Sequence, residues 1–102
     1  EDLSNDLLSP ISFELSQNYP NPFNPETTIL FSVPNISEIS LIIYDINGRV
    51  VDVLVQGVYT PGIHSFIWDG MTLTGEIVPS GVYLYKLITP NQTFSKHLTI
   101  IR

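Results

Sequence analysis

The sequence predicts an all-β protein, a seven-stranded antiparallel β-sandwich of the immunoglobulin or fibronectin type. Seven short runs alternate apolar and polar residues with a period of two, and turn signals separate them at intervals of about 8–12 residues. No segment repeats apolar residues at helical spacing, so no helix is expected. The 102 residues suit a single domain. The Cys–Trp–Cys pattern of antibody domains is absent, because the chain has no cysteine.

The N-terminal part divides into a linker and the start of the domain. Residues 1–15 are acidic and rich in Ser, which predicts a linker with a candidate short edge strand at Ile11–Leu15. Residues 16–102 form the predicted sandwich domain. Its first stretch, NYPNPFNP, is expected to be an irregular, extended crossing, because proline fixes φ and lacks an N–H donor. We expect Tyr19 and Phe23 to point inward, and the bond from the former to the next proline is a candidate cis peptide.

Two strands and a hairpin follow the crossing. Thr27–Val33 is predicted to be a strand with one apolar face. Ile39–Asp45 is apolar on both faces, which predicts a central strand. Asn47-Gly48 predicts a tight hairpin, because both residue types tolerate positive φ. Asp45, just before the hairpin, is expected to accept backbone N–H bonds across the turn.

The other four strands are separated by turns and one long loop. We predict them at Val50–Val55, Ile63–Trp68, Val82–Thr89 and Phe94–Ile101. Gly57 and Pro61 bracket the first connection, and Asp69–Ser80 forms the long loop. Alternation places Trp68 in the core. The last strand is expected at a sheet edge, open to pairing with a partner strand or with a second copy of the chain.

The charge and apolar runs of the chain exclude several classes of partner. Ten acidic residues against four basic residues give a net charge of −6. Four scattered basic residues cannot form a positive stripe, which argues against nucleic-acid binding and against attraction to anionic membranes. No membrane span is expected, because the apolar runs fall far short of the roughly 20 residues that a spanning helix needs. The chain does not begin with Met, which suggests a fragment or a processed product, and any export signal is then expected elsewhere in a longer parent chain.

The sequence carries no pattern of a catalytic or zinc site. His64 and His97 lie in different predicted strands and show no ligand spacing. We expect the first at the edge of the core and the second exposed. No G-x-S-x-G motif occurs, and a small sandwich rarely offers the cleft that paired catalytic carboxylates need. The chain is therefore predicted not to be an enzyme.

Four carboxylates form the only candidate cation site. Asp45, Asp52, Asp69 and Glu76 could supply the oxygen ligands that Ca²⁺ prefers. They lie on separate turns, however, without the dense spacing of a dedicated calcium loop. Capping of turns by Asp45 and Asp69 is the favoured interpretation. Calcium stays as the alternative, and no other cofactor is expected.

Several motifs occur in an order that resembles a known family. They are QNYPNPFNP at Gln17–Pro25, YDINGRVV at Tyr44–Val51, GIHSFIWDG at Gly62–Gly70 and GEIVPSGVYLYKL at Gly75–Leu87. This ordered set resembles the type A C-terminal sorting domain of type IX secretion substrates over residues 16–102. The part from Tyr44 to Leu87 is also similar to the immunoglobulin-like domain of flagellar hook-capping proteins.

The resemblance implies a secretion signal and not a catalyst. Such domains follow an N-terminal cargo domain, fold in the periplasm of Gram-negative bacteria and direct the cargo through the type IX outer-membrane translocon. A sortase-like peptidase then removes many of them, and the cargo is attached to the cell surface or released. By this resemblance, translocon recognition is expected to involve Ser80, Gly81, Tyr83, Tyr85, Lys86, Lys96 and Arg102. Structural roles are expected for Asp45, Gly48, Trp68, Asp69 and Gly70.

Two other functions stay open at this point. One is a structural or assembly module, as in hook-capping proteins, and the other is a carbohydrate-binding accessory module of a secreted enzyme. Lys86 and Lys96 also allow two interpretations. They are either contact residues for a partner or lysines that protect a sheet edge from unwanted pairing.

Overall fold

The computed structural model describes residues 10–23 and 25–102, which form an antiparallel β-sandwich without a helix. The strands are β1 (Glu14–Leu15), β2 (Thr27–Val33), β3 (Ser37–Tyr44), β4 (Val50–Tyr59), β5 (Gly62–Trp68), β6 (Gly81–Ile88) and β7 (Thr93–Ile100). One sheet has the order β1-β2-β5 and the other β4-β3-β6-β7. The predicted fold class is confirmed. In this part of the chain no helix could cross a membrane.

The core lies between the two sheets and follows the period-two alternation of the strands. Side chains of the inner faces interdigitate, as in other sandwiches. The most deeply buried apolar side chains are Ile29, Phe31, Val33, Ile39, Leu41, Ile43, Trp68, Tyr85, Leu87, Leu98 and Ile100. The face assignment that the sequence predicts for β2 and β3 is therefore confirmed.

Strand β3 is central, as predicted. It pairs with β4 on one side and with β6 on the other. Ile39, Leu41 and Ile43 face the core, while Ile42 and Tyr44 are half-buried on the outer face. A strand with neighbours on both sides is shielded at its outer face by the side chains of those neighbours, which explains its apolar residues on both faces.

Strand β4 is longer than the sequence suggests, and the predicted loop at Gly57 is wrong. The strand continues past Val55 to Tyr59. The reason is its partner, because β3 begins at Ser37, which lies opposite Tyr59, and the ladder places Gly57 opposite Ile39. Backbone pairing with β3 outweighs the weak strand preference of glycine. The connection to β5 is correspondingly short.

Residues 17–23, which we call the crossing segment, run across one side of the sandwich. Phe23 is 2% exposed and points inward as predicted. The same prediction is wrong for Tyr19, which is 80% exposed. Tyr19 forms a bridge with Thr28, and its neighbour Asn18 occupies the inward position. Adjacent side chains of an extended backbone point to opposite sides, so Tyr19 points outward where Asn18 points inward.

Two proline peptide bonds in the crossing segment are cis. They are Tyr19–Pro20, the candidate identified in the sequence, and Asn21–Pro22. The first prediction is confirmed, and the second cis bond was not expected.

The N-terminal edge strand is present in a shorter form than the candidate at Ile11–Leu15. Glu14 and Leu15 pair with β2, opposite Ser32 and Phe31. Leu15 is buried and therefore belongs to the sandwich core. The linker prediction for residues 1–9 lies outside the described residues.

The loop between β5 and β6, residues 69–80, folds back on itself and spans both sheets. The Val78 N–H donates to the Gly70 carbonyl at 3.0 Å. The Leu73 N–H donates to the Val51 carbonyl of β4, also at 3.0 Å. This long loop is therefore attached to the edge of the four-stranded sheet.

Candidate functional site

The residues that resemblance assigns to translocon recognition do not form one surface. Tyr83 and Tyr85 are 7% and 0% exposed, so their side chains lie in the core. Lys86 lies on the outer face of the four-stranded sheet, whereas Lys96 is paired with the inward-facing Tyr85 and lies on the inner face. These side chains therefore do not all lie on one exposed surface. The contact role of the exposed residues stays a prediction.

Ser80 and Arg102 come together at one end of the sandwich. The Arg102 backbone N–H donates to Ser80 Oγ at 2.8 Å. The Arg102 guanidinium donates through Nε to the Val78 carbonyl at 2.6 Å and through Nη2 to the Gly70 carbonyl at 2.8 Å. We call these four residues the terminal corner. A charged fork that binds two carbonyls fixes the end of β7 to the long loop.

Gly70 is required at the terminal corner for two independent reasons. Its φ is +75°, a backbone conformation that residues with a Cβ rarely adopt. A Cβ at this position would also lie 2.7 Å from Arg102 Nη2 and 2.9 Å from Ile100 Cδ1. The sequence predicted a structural glycine here, and the structure adds the close approach of the guanidinium.

Trp68 and Asp69 have the structural roles predicted for them. The Trp68 ring is 1% exposed, and its centre lies 5.7 Å from that of Phe23 and 6.0 Å from that of Tyr83. Its Nε1 donates to the Met71 carbonyl at 3.0 Å. Asp69 Oδ1 accepts the Met71 N–H at 3.0 Å. One end of β5 is thus core, and the turn that follows is capped by a carboxylate.

Asp45 and Gly48 shape the β3–β4 hairpin as predicted. Asp45 Oδ1 accepts the Asn47 N–H at 2.9 Å and the Arg49 N–H at 3.0 Å. These backbone hydrogen bonds, with the Arg49 guanidinium 3.3 Å from the carboxylate, hold the pKa of Asp45 below its usual range. Gly48 has φ +84°, which the turn requires.

The Tyr85 hydroxyl anchors the start of the domain, a role that the sequence did not predict. It donates to the Ser16 carbonyl at 2.6 Å and accepts the Asn18 N–H at 2.8 Å. Asn18 is buried, and its Nδ2 donates to Thr27 Oγ1 at 3.0 Å. Burial raises the pKa of Tyr85 to about 12. The phenol is therefore neutral at all ordinary pH values and holds the crossing segment to β6.

The crossing segment covers the second half of the β7 edge. Gln17 Nε2 donates to the His97 carbonyl at 2.7 Å, and Asn21 Oδ1 accepts the Thr99 N–H at 3.0 Å. The Phe23 N–H donates to the Thr99 carbonyl at 3.1 Å. The expectation that the last strand is open along its edge is therefore wrong for this half, because side chains and backbone of the crossing segment already satisfy its polar groups.

The two lysines have different surroundings. Lys96 is half-buried on the inner face of β7, in line with Phe94 and Leu98. A charge that points inward on an edge strand prevents further strands from adding to that edge. Lys86 lies on the outer face with its Nζ 5.1 Å from the centre of the Tyr44 ring, within the range of a cation–π interaction. The structure thus favours edge protection for Lys96 and leaves Lys86 as a surface cation.

Comparison with known proteins places this arrangement in a family. The FlgD Ig-like domain matches residues 26–92. The chain belongs to the FlgD Ig-like domain family. Basal-body rod modification protein FlgD of Escherichia coli K12 is 41% identical over 54 residues, and that of Salmonella typhimurium is 37% identical over 54 residues. The matched region is 53% of this chain but only 23% of those relatives.

Solved structures share the fold over most of the chain. Latent PorU from Porphyromonas gingivalis superposes with a TM-score of 0.70 at 18% identity, over 88% of this chain and 9% of that chain. PorZ from the same organism, a surface component of the type IX secretion system, superposes with a TM-score of 0.54 at 23% identity. The match covers 89% of this chain and 12% of PorZ. FlgD from P. aeruginosa superposes with a TM-score of 0.56 at 28% identity, over 72% of this chain and 59% of that chain.

The candidate calcium ligands of this Ig-like domain do not converge. Among residues 10–23 and 25–102, no three acidic or histidine side chains come together as a metal site. Burial raises the pKa of Asp52, and the negative charge of Asp69 adds to that rise. Asp45 and Asp69 use their carboxylates to cap turns instead. The structure gives the calcium alternative no support.

The two histidines of the Ig-like domain lie where the sequence predicts. The His64 ring is half-buried, stacks on Phe31 with centres 5.4 Å apart, and places Nε2 2.9 Å from the Thr60 carbonyl. His97 is exposed on β7. Packing and one local hydrogen bond account for the first ring, so neither histidine has surroundings that suggest catalysis.

Proposed function

We propose that this domain is a non-catalytic C-terminal secretion signal, which directs an exported cargo protein through the type IX outer-membrane translocon. In this proposal the domain follows a cargo domain, folds in the periplasm and reaches the outer-membrane surface or the medium with its cargo. A sortase-like peptidase then removes it. The partners are thus the translocon, the peptidase and the cargo, and the domain itself performs no reaction.

One observation carries the proposal. The two flanks of the family match, residues 16–25 and 93–102, hydrogen-bond to each other through the crossing segment and β7. The N-terminal flank carries the QNYPNPFNP motif, which favours a sorting domain over a hook-capping domain because the resemblance to hook-capping proteins begins only at Tyr44. The folds of PorU and PorZ cover 88% and 89% of this chain, against 72% for the flagellar protein. This difference in coverage supports the type IX assignment of the flanks.

Within this proposal, burial limits which side chains a translocon component could contact. Tyr83 and Tyr85 are buried, so their side chains pack in the core and are not available for direct contact. Ser80 and Arg102 are exposed at the terminal corner, and they are the residues that a translocon component could contact together. The Arg102 guanidinium attaches the corner to the long loop through the Val78 and Gly70 carbonyls. The signal would then be read from a folded surface and not from an extended peptide.

Export of a reporter fusion tests the proposal. Residues 1–102 are fused to the C-terminus of a periplasmic reporter, in a host with the type IX machinery and in an isogenic strain without it. We expect surface or extracellular reporter only in the first strain. Reporter that stays in the periplasm of both strains would overturn the proposal.

Arg102→Ala sharpens this test at the terminal corner. We expect it to reduce export by about tenfold or more, because the loss of two charge-assisted hydrogen bonds frees the corner from the long loop. Arg49→Ala is the matched control, since Arg49 is an exposed arginine on the β3–β4 hairpin that makes none of the hydrogen bonds of the terminal corner. Thermal unfolding of both variants separates a lost contact from a lost fold. Equal export of the two variants would remove the corner from the recognition surface.

An assembly role is the second candidate, and family membership favours it. The relatives that share up to 41% identity are flagellar basal-body proteins. A chimera of E. coli FlgD that carries this domain in place of the matched region tests the role by swimming motility. We expect no restored motility, because the crossing segment, which lies outside the family match, covers half of the β7 edge. Restored motility would favour the assembly role over secretion.

A further inference from the structure

Strand β5 lacks the protection that the other edge strands of the described chain carry. The β7 edge has Lys96 and the crossing segment, and β1 is two residues long and carries Glu14. Strand β4 has Asp52, two register shifts against β3 and a bond from the long loop. Strand β5 runs for seven residues, GIHSFIW, with no charged residue, no proline and no register shift against β2. An edge of this kind is a template for pairing with another strand.

The free hydrogen-bonding groups on this edge belong to Ile63, Ser65 and Ile67. The N–H and C=O of Thr28 on β2 are both bonded to Tyr19, on the side away from β5. Ile67 lies opposite Thr28, so its own N–H and C=O point away from β2, and the alternation of the ladder extends this to the other two residues. Within residues 10–23 and 25–102, no hydrogen bond reaches these groups.

The side chains along the edge are exposed and apolar. Ile63 is 72% exposed and Ile67 is 56% exposed, both on the outer face of the three-stranded sheet. Leu30, which is 43% exposed and lies opposite Ser65, extends the same face onto β2. The edge thus combines unpaired backbone groups with a row of apolar side chains that a neighbouring strand would cover.

The sequence of β5 is self-complementary about Ser65. It reads Ile-aromatic-Ser-aromatic-Ile from Ile63 to Ile67, with His64 and Phe66 as the aromatic rings. In an antiparallel pair with a two-fold axis at Ser65, Ile63 of one copy lies opposite Ile67 of the other. His64 lies opposite Phe66 in the same way, and Ser65 faces itself. A closed two-fold contact needs this kind of symmetric match.

We propose that the β5 edge is a self-association site, at which a second copy of this chain pairs antiparallel about Ser65. The N–H and C=O groups of Ser65 bond to those of Ser65 in the other copy, and those of Ile63 bond to Ile67 of the other copy. The two three-stranded sheets then become one continuous sheet. The isoleucines form two apolar cross-strand pairs on the outer face. Because one short strand from each copy forms the contact, the dimer is weak and concentration-dependent. This association does not depend on the proposed secretion role.

Sedimentation equilibrium of the full chain and of two matched lysine variants tests the proposal. Ser65→Lys places two like charges face to face at the axis, and we expect it to raise the dimer dissociation constant at least about tenfold. Ser95→Lys is the control, because Ser95 is also an exposed serine on an edge strand, on the open half of β7. It should leave the constant unchanged. An equal effect of both variants, or a stronger effect of Ser95→Lys, would overturn the assignment to β5.

Disulfide cross-linking tests the same antiparallel pairing about Ser65 without weakening the interface. The chain has no cysteine, so Ser65→Cys introduces a single thiol. Directly paired residues on antiparallel strands have Cα atoms about 5.5 Å apart, within disulfide range. Oxidation should convert Ser65→Cys into a covalent dimer and leave Ser95→Cys mainly monomeric. A chain that is monomeric at all concentrations and shows no faster cross-linking at position 65 would overturn the proposal and leave the edge for a strand from a different protein.

Discussion

The two edge strands β7 and β5 belong to different sheets, and they differ in how far their free edges are protected from pairing with another strand. The β7 edge is covered over its second half by the crossing segment, carries an inward lysine, and ends in an arginine bound to the long loop. The β5 edge has none of these features and exposes two isoleucines. In the self-association proposal, the β5 edge is therefore the one available to a partner strand.

The protection of β7 comes from the flanks of the chain. The crossing segment and residues 93–102 lie outside the family match at residues 26–92, whereas β5 lies inside it. The contacts that connect the crossing segment to the common core include the Phe23 ring against Trp68 and the Tyr85 hydroxyl against Asn18. Breaking these contacts should therefore affect β7 more than β5.

Trp68→Ala is expected to have the largest effect on this comparison. The ring ends β5 and packs on Phe23 of the crossing segment and on Tyr83 of β6. Its loss should reduce the free energy of unfolding by about 3–5 kcal/mol in urea denaturation, as for other buried large aromatics. Ile67→Ala is the neighbouring control on the outer face, with an expected change of about 0.5 kcal/mol or less. A cost below about 1 kcal/mol for Trp68→Ala would contradict the packing described for this ring.

Tyr85→Phe should have the next largest effect, on the attachment of the crossing segment. Removal of the hydroxyl leaves the Ser16 carbonyl and the buried Asn18 N–H without this partner, which costs about 1–3 kcal/mol. Tyr19→Phe is the control, since Tyr19 is exposed. Urea denaturation at neutral pH measures both. Similar stabilities of the two variants would show that the hydroxyl does not hold the segment.

The pH dependence of this difference gives an independent check. Burial raises the pKa of Tyr85 to about 12, above the value of about 10 for an unfolded tyrosine. A group with a raised pKa contributes its full stabilisation below the unfolded value and loses it as the pH rises through the folded value. The stability advantage of the native chain over Tyr85→Phe should therefore narrow between about pH 10 and 12. A difference that stays constant over this window would contradict the raised pKa.

The sequence predicts the fold well because strands and turns are local patterns. Seven runs of period two, the Asn47-Gly48 hairpin and the capping carboxylates Asp45 and Asp69 each depend on residues close together in the chain. The length of β4 could not be predicted in this way. It depends on where β3 begins, and a glycine that suggests a loop is held in a ladder by its partner.

The candidate site was less predictable, because its contacts join distant parts of the chain. Arg102 binds Val78 and Gly70, and Tyr85 binds Ser16 and Asn18. A positive-φ glycine or a strand tyrosine is visible in the sequence, but its distant partner is not. Burial reverses the surface role that resemblance suggests for Tyr85, since alternation along β6 places every second side chain in the core.

Lys96→Thr should have the smallest effect on stability and a specific effect on association. Lys96 is half-buried and lies on the inner face of β7 in line with Phe94. Its removal should change the unfolding free energy by about 0.5 kcal/mol or less, but open the uncovered half of this edge to pairing. We therefore expect the double variant Ser65→Lys, Lys96→Thr to regain association in sedimentation equilibrium. Lys86→Thr in the same background is the control, because it removes an equal charge from the outer face. If both double variants stay monomeric, Lys96 does not protect the edge, and a contact role in export becomes the better interpretation of this lysine.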